Sequence, residues 1–176
     1  KWLKKSIFFE LIGRNVLSRS ERVIVASTLE ASHSLSKGVR NTSKLRLGVD
    51  LAMPAPIESL ESDSNWLRTP RDKRIAFVGR LARVKNLELA LEVLQLLPSD
   101  YVLTLAGPPW DITQQSLLDA AKRMDLVDRL FMPGEISAAQ KTWLLQQSGV
   151  FILPSRNENF SLSLMEAARM GCFCVT

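Results

Sequence analysis

The strongest constraint in this chain is a set of short runs that are apolar at almost every position, not at every second one. Ile75-Ala76-Phe77-Val78, Tyr101-Val102-Leu103-Thr104-Leu105, Leu130-Phe131-Met132 and Val150-Phe151-Ile152-Leu153 are four such runs, and Cys172 to Thr176 begins a fifth. A strand with one wet face alternates apolar and polar residues. A run without alternation is buried on both faces, which calls for a parallel sheet covered by helices. The intervening segments supply those helices. Leu87, Ala90, Leu91, Leu94 and Leu97 form one stripe, with Asn86 as its expected cap and Pro98 as its end. Leu117, Leu118, Ala121 and Met124 form another; Ser137 to Gln140 is a capping box ahead of Trp143 and Leu144; Ser161 to Met170 is a helix ended by Gly171. The expectation is an α/β domain with a doubly wound parallel sheet in the order 3-2-1-4-5. That order sets the first and fourth strands side by side at the switch point, where ligands bind.

Upstream, the alternation is weaker. Leu3, Ile7 and Leu11 recur every four residues, so 1–19 reads as a helix. Val23 to Ala26 reads as a strand, Ser27 to Glu30 as a capping box opening a helix that ends near Gly38, and Leu45-Arg46-Leu47 as a second strand. Residues 50–73 lose periodicity and carry Pro54, Pro56 and Pro70. A loop of about two dozen residues is read as a domain boundary. The predicted organisation is therefore 1–49 as the tail of a second α/β domain, 50–73 as linker, and 74–176 as the doubly wound domain.

The net charge of +5 is unevenly placed: residues 1–50 hold ten Lys/Arg against four Asp/Glu, and the remainder holds thirteen against fourteen. The basic helix 1–19 has two readings: an ordinary amphipathic helix with a lysine-rich solvent face, or a helix lying on an anionic membrane surface. No apolar run approaches the roughly 18–20 residues needed to span a bilayer, and the first residues do not form a signal peptide. No reader motif for nucleic acid is present. Cys172 and Cys174, one residue apart, read as buried thiols in a reducing compartment, since a disulfide between them would be strained.

Two loops follow the strands at the switch point. Gly79-Arg80-Leu81-Ala82-Arg83-Val84-Lys85-Asn86 contains neither a glycine-rich dinucleotide fingerprint nor a phosphate-loop pattern. Arg80 and Lys85 are either a guanidinium and an ammonium set to hold a diphosphate, or surface charges of a loop. Pro154 to Glu166 leads into a helix whose first N–H groups form an anion site. Glu158 is a candidate acceptor for sugar hydroxyls or a helix-dipole partner. Glu166 is a second acceptor or part of a solvated face.

Taken in order, Gly79-Arg80-Leu81 with Lys85, Leu105-Ala106-Gly107, Leu130 to Gly134, Pro154-Ser155 and Glu158-x7-Glu166-Ala167 closely resemble the C-terminal domain of family-4, GT-B-fold glycosyltransferases. Ser20 to Ser27 is similar to the last strand region of that family's N-terminal domain, and Gly48-Val49-Asp50 to its interdomain signature. The resemblance implies a Rossmann-like donor domain and a hexosyltransferase that takes a nucleoside-diphosphate sugar and retains anomeric configuration without a metal. It implies Arg80 and Lys85 on the diphosphate, beside the backbone of Gly79, and Glu158 on the sugar, these three side chains being the catalytic set. It further implies Glu166 on the ribose, the backbone of Asn159, Phe160, Ser161 and Leu162 on sugar and phosphate oxygens, and the segment from Gly134 to Ile136 beside the base. The implied acceptor is a glycan or a lipid-linked acceptor, and the implied location is the cytoplasm or the inner membrane face.

Departures from the pattern are Asn86 after Lys85, Ser161 after Phe160, Cys172 to Cys174 where a proline is usual, and Arg46-Leu47 ahead of Gly48. None removes a charged donor contact. The resemblance also implies that the acceptor domain is almost wholly missing, so the 176 residues are expected to be a fragment inactive by itself. Rival expectations are a non-catalytic nucleotide-sugar-binding subunit and another GT-B enzyme such as an epimerase.

Overall fold

The computed structural model describes residues 2–45, 48, 59–60 and 64–176. The chain divides into two compact units, Lys1–Gly48 and Val49–Thr176. In the first, α1 (Trp2–Phe8) runs through a π-helical turn (Phe9–Gly13) into α2 (Arg14–Arg19). The wide turn adds to the ordinary helical period, and Ile7, Phe8, Leu11, Ile12 and Val16 are all largely exposed in the described unit. β1 (Val23–Val25), α3 (Thr28–Ser36) and β2 (Thr42–Lys44) form a parallel crossover. Ser27 caps α3 by accepting from the Glu30 N–H at 3.1 Å, and the Glu30 carboxylate accepts from Ala26 N–H at 2.7 Å.

The second strand differs from the expectation of Leu45 to Leu47. It is Thr42–Lys44, registered so that Val23 faces Thr42. Val39 is buried at 1% exposure ahead of the strand, and the Asn41 carbonyl accepts from Val23 N–H, so pairing begins before the leucines. Leu45 follows the strand and is exposed; Arg46 and Leu47 lie outside the described residues.

The second unit holds α4 (Ser64–Arg68), β3 (Arg74–Val78), α5 (Leu87–Leu96), β4 (Val102–Ala106), α6 (Gln114–Arg123), β5 (Leu130–Gly134), α7 (Ala138–Gln147), β6 (Val150–Ile152), α8 (Leu162–Arg169) and β7 (Phe173–Val175). All strands pair in parallel in the order β5-β4-β3-β6-β7, the order expected from the sequence. Helices α5 and α6 pack together, as do α7 and α8, which is what right-handed crossovers to opposite faces produce. The pattern of burial follows the order. β4 is buried throughout and β3 almost so, whereas the edge strands β5 and β7 are half-buried to exposed. Phe77, Leu103, Leu105 and Phe151 lie at the centre, covered by Leu87, Leu91, Leu94, Leu117, Leu144 and Leu145.

Part of the stretch read as linker belongs to this core. Leu60 and Trp66 are buried within it, and α4 is followed by a 3₁₀ turn, Arg71–Lys73. Trp66 stacks on Trp143 of α7 with ring centroids 5.4 Å apart, and the Arg74 guanidinium lies 4.5 Å from its centroid. Burying an indole contributes roughly 3 kcal/mol, enough to hold one helical turn that has no periodicity for a sequence pattern to register.

Candidate functional site

The loops that leave β3, β4 and β6 meet at one end of the sheet. Gly79 N–H donates to the Ala106 carbonyl at 2.9 Å, and Gly107 N–H to that of Gly134 at 2.7 Å. Gly107 has φ +142°, and a Cβ there would fall 2.0 Å from the Gly79 carbonyl oxygen. Only glycine permits that approach. The fully buried Leu81 then ties the first loop to the second: its N–H donates to Pro108, and its carbonyl accepts from Trp110 and Ile112. Arg83 N–H donates to Asp111 Oδ1 at 2.7 Å.

Arg80 leaves this framework and is exposed, with its guanidinium 4.7 Å from the centroid of Trp110. A cation over an indole is weakly held at such an exposed position. Lys85 ends a 3₁₀ turn, Arg83–Lys85, and Asn86 follows at φ 52°, ψ 48°. Asn86 occupies the cap position of α5 as expected, but its side chain makes no cap hydrogen bond. The tight turn before the helix demands a left-handed residue, a conformation asparagine tolerates, and the side chain is carried away from the helix N–H groups.

Across the switch point, Arg156 N–H donates to the Val84 carbonyl at 2.9 Å, and Lys85 Nζ forms an ion pair with Glu158 Oε2. The Glu158 side chain is 28% exposed and that of Lys85 19%, although the Glu158 residue as a whole is exposed through its main chain. Beside this pair lies a hollow of about 510 Å³ walled by Ser155, Glu158, Asn159, Phe160, Ser161 and Met165, among others. The Ser155 hydroxyl is buried and has no hydrogen-bond partner among the described residues. Ser161 caps α8, accepting from Leu164 N–H at 3.3 Å, so the N–H groups of Leu162 and Ser163 head the helix.

Glu166 sits on α8 and binds Lys141 of α7, Nζ to Oε1 2.6 Å, with both side chains about three-quarters withdrawn from solvent. Gly134 ends β5 at φ +82°, and Ile136 after it packs on the core; both stand two strands from β3. The structure therefore joins Lys85 to Glu158 and gathers Glu158 to Ser161 around the hollow. Gly134 and Ile136 are not in its wall, and Arg80 rests on an aromatic ring. Sequence reasoning missed Ser155, Trp110 and Lys141 as site residues. Pro154-Ser155 was visible as a motif, but the partner of Glu166 carries no local signal, because Lys141 meets it only through the packing of two helices.

Residues 60–176 match the family described as glycosyl transferases group 1. D-inositol 3-phosphate glycosyltransferase of Mycolicibacterium gilvum is 26% identical over 164 residues, covering 90% of this chain and 37% of that protein. The Mycolicibacterium smegmatis protein of the same name is 28% identical over 165 residues, covering 90% of this chain and 38% of that protein. The chain thus spans little more than a third of the length of these curated relatives. Among solved structures, Anabaena Alr3699/HepE in complex with UDP and glucose is similar with a TM-score of 0.76 at 19% identity, over 93% of this chain and 46% of that one. Sucrose-phosphate synthase from Thermosynechococcus elongatus is similar with a TM-score of 0.73 at 22% identity, over 93% and 42% respectively. With a family match over most of its length and a fold shared with these solved structures, this chain belongs to the group 1 glycosyl transferases and has the GT-B fold.

Proposed function

We propose that the whole protein transfers a hexose from a nucleoside-diphosphate sugar to a glycan or lipid-linked acceptor with retention of configuration, and that residues 74–176 supply the donor side. The observation that carries this is the hollow at the tip of β6, flanked by the Lys85–Glu158 pair and headed by α8. Arg80, Lys85 and the first N–H groups of α8 stabilise the departing diphosphate, where negative charge develops. Glu158 accepts from hydroxyls of the sugar and Glu166 from those of the ribose. No metal takes part in this scheme. Donor binding exchanges the Lys85–Glu158 pair for Lys85 on phosphate and Glu158 on sugar. A partly exposed ion pair is worth about 1 kcal/mol or less, so the exchange costs little.

The first unit is then the end of the acceptor domain, and its basic helical segment, Trp2–Arg19, is the place for peripheral membrane contact at the cytoplasmic face. Among the described residues no helix is long and apolar enough to cross a membrane.

Calorimetry on the full-length protein with UDP, GDP and ADP, and with their glucose and mannose derivatives, tests the proposal. One nucleotide should bind, and its sugar form should bind tighter. Glu166→Ala should weaken both ligands; Glu158→Ala should weaken the sugar nucleotide and spare the free nucleotide. No binding by any nucleotide would overturn the donor site. Binding with no transfer would favour a non-catalytic subunit, and isomerisation of the bound sugar an epimerase. Anomeric analysis of the product by NMR tests retention.

A further inference from the structure

We propose that Lys141 is a positioning residue for nucleotide recognition, acting through Glu166. The inference rests on the reading of Glu166 as the ribose acceptor. Lys141 is in the second turn of α7, and Glu166 is in the second turn of α8. They come from helices on the same face of the sheet and meet at 2.6 Å. Their side chains are 28% and 23% exposed, so the pair is partly shielded and less screened than a surface contact.

A glutamate has three rotatable side-chain bonds, and fixing them has an entropic cost that a ligand must otherwise meet on binding. Lys141 meets that cost in advance. Its ammonium occupies Oε1 and leaves the lone pairs of Oε2 for a vicinal diol. It also offsets the charge of a carboxylate that must stand near a diphosphate, where an uncompensated negative group would repel the ligand. Lys141 itself touches no part of the nucleotide in this scheme.

The anchorage of α7 suits the role. Ser137 and Gln140 close its first turn as a full capping box, and Leu144 and Leu145 are buried behind it. Lys141 Nζ thus projects from a helix that is held at one end by reciprocal hydrogen bonds and along its length by the core. An ordinary surface salt bridge between two mobile side chains would have no such base.

The test compares ribose discrimination in the full-length protein. UDP, GDP and ADP are titrated beside their 2′,3′-dideoxy counterparts into the wild type and into Lys141→Met, Lys141→Gln and Lys141→Arg. The ratio of the two dissociation constants reports on the diol alone. It is read from the folded molecules in each sample, so a partly unfolded variant lowers the stoichiometry and leaves the ratio intact. The expected result is a fall in diol preference of about two- to fivefold in Lys141→Met and Lys141→Gln, with most of it restored in Lys141→Arg, which keeps the cation. Wild-type discrimination in both neutral variants would overturn the inference, as would equal losses in all three, which would mark a packing role. Glu166→Ala separates the two levels. If it leaves the diol preference unchanged, the ribose role of Glu166 falls and the inference with it; if it abolishes the preference while the Lys141 variants retain it, only the inference falls.

Discussion

The two ends of the five-stranded sheet use their cations in opposite ways. At the N-terminal end three arginines donate to backbone carbonyls, although Lys73 beside them pairs with the Asp100 carboxylate. Arg71 bonds Gln146, Met170 and Gly171; Arg74 bonds Leu67, Thr69 and Gln147; Arg129 bonds Leu97, Pro98 and Tyr101. Burial lowers the proton affinity of Arg74 and Arg129. The Cys172 thiol joins them, donating to Leu145 and Ser148. At the C-terminal end, Arg80 rests on a ring and Lys85 on a carboxylate. These carbonyls belong to helices and short connections of the main chain and cannot rotate away as a side chain can, so the first set is permanent. A side-chain partner can turn away, so the second set is exchangeable. The same residue type is thus mortar at one end and, in the donor site proposed above, a ligand contact at the other.

That contrast can be broken most severely at Gly107, the rigid element of the otherwise exchangeable end. Gly107→Ala should destabilise the second unit by about 4 kcal/mol and abolish nucleotide binding, because its Cβ would force the β3 and β4 tips apart. Thermal melts and calorimetry read both; a melt within a degree or two of wild type would refute the claim of a closed contact. Next, Arg74→Met should cost about 3 kcal/mol by orphaning the buried Thr69 carbonyl and the part-buried carbonyls of Leu67 and Gln147, while the remaining folded protein binds nucleotide with wild-type affinity. An affinity loss in that fraction would show that the two ends are coupled.

Lys85→Ala should show the reverse pattern. Nucleotide affinity falls about tenfold, or about 1.4 kcal/mol, whereas urea melts shift by less than about 1 kcal/mol. The smallest effect, read at pH 9, concerns Cys172. Burial pushes its thiol from the ordinary 9.0 up to about 11. Folding therefore favours the protonated form, and its contribution, whole below pH 9, is lost as pH rises towards 11. The loss is about 0.4 kcal/mol at pH 9 and grows above it. Cys172→Ala should flatten the decline of the melting temperature in that window; an unchanged slope would place the decline elsewhere.

These expectations also mark what was legible in the sequence. Strand existence, helix stripes and sheet order could be read because burial on two faces leaves continuous apolar runs. The β3 and β6 loops could be singled out because topology alone places them side by side. Three things were not legible. The carbonyl partners of Arg74 lie in α4, in the turn after it and at the end of α7, and no sequence spacing relates all of them to it. The docking of Trp66 depends on Trp143 and Arg74, which no spacing relates to it. The partner of Glu166 follows from two helices sharing a face, 25 residues apart.

The tilted pair of Trp66 and Trp143, 5.4 Å between centroids and 33° between planes, has an optical consequence. Two indoles that close couple their strong transitions and give a far-ultraviolet circular dichroism couplet that neither has alone. The signal belongs to two of the chain's four tryptophans and vanishes when α4 leaves α7. The molecule therefore carries its own reporter of whether the stretch ahead of the sheet is seated, readable without label or ligand.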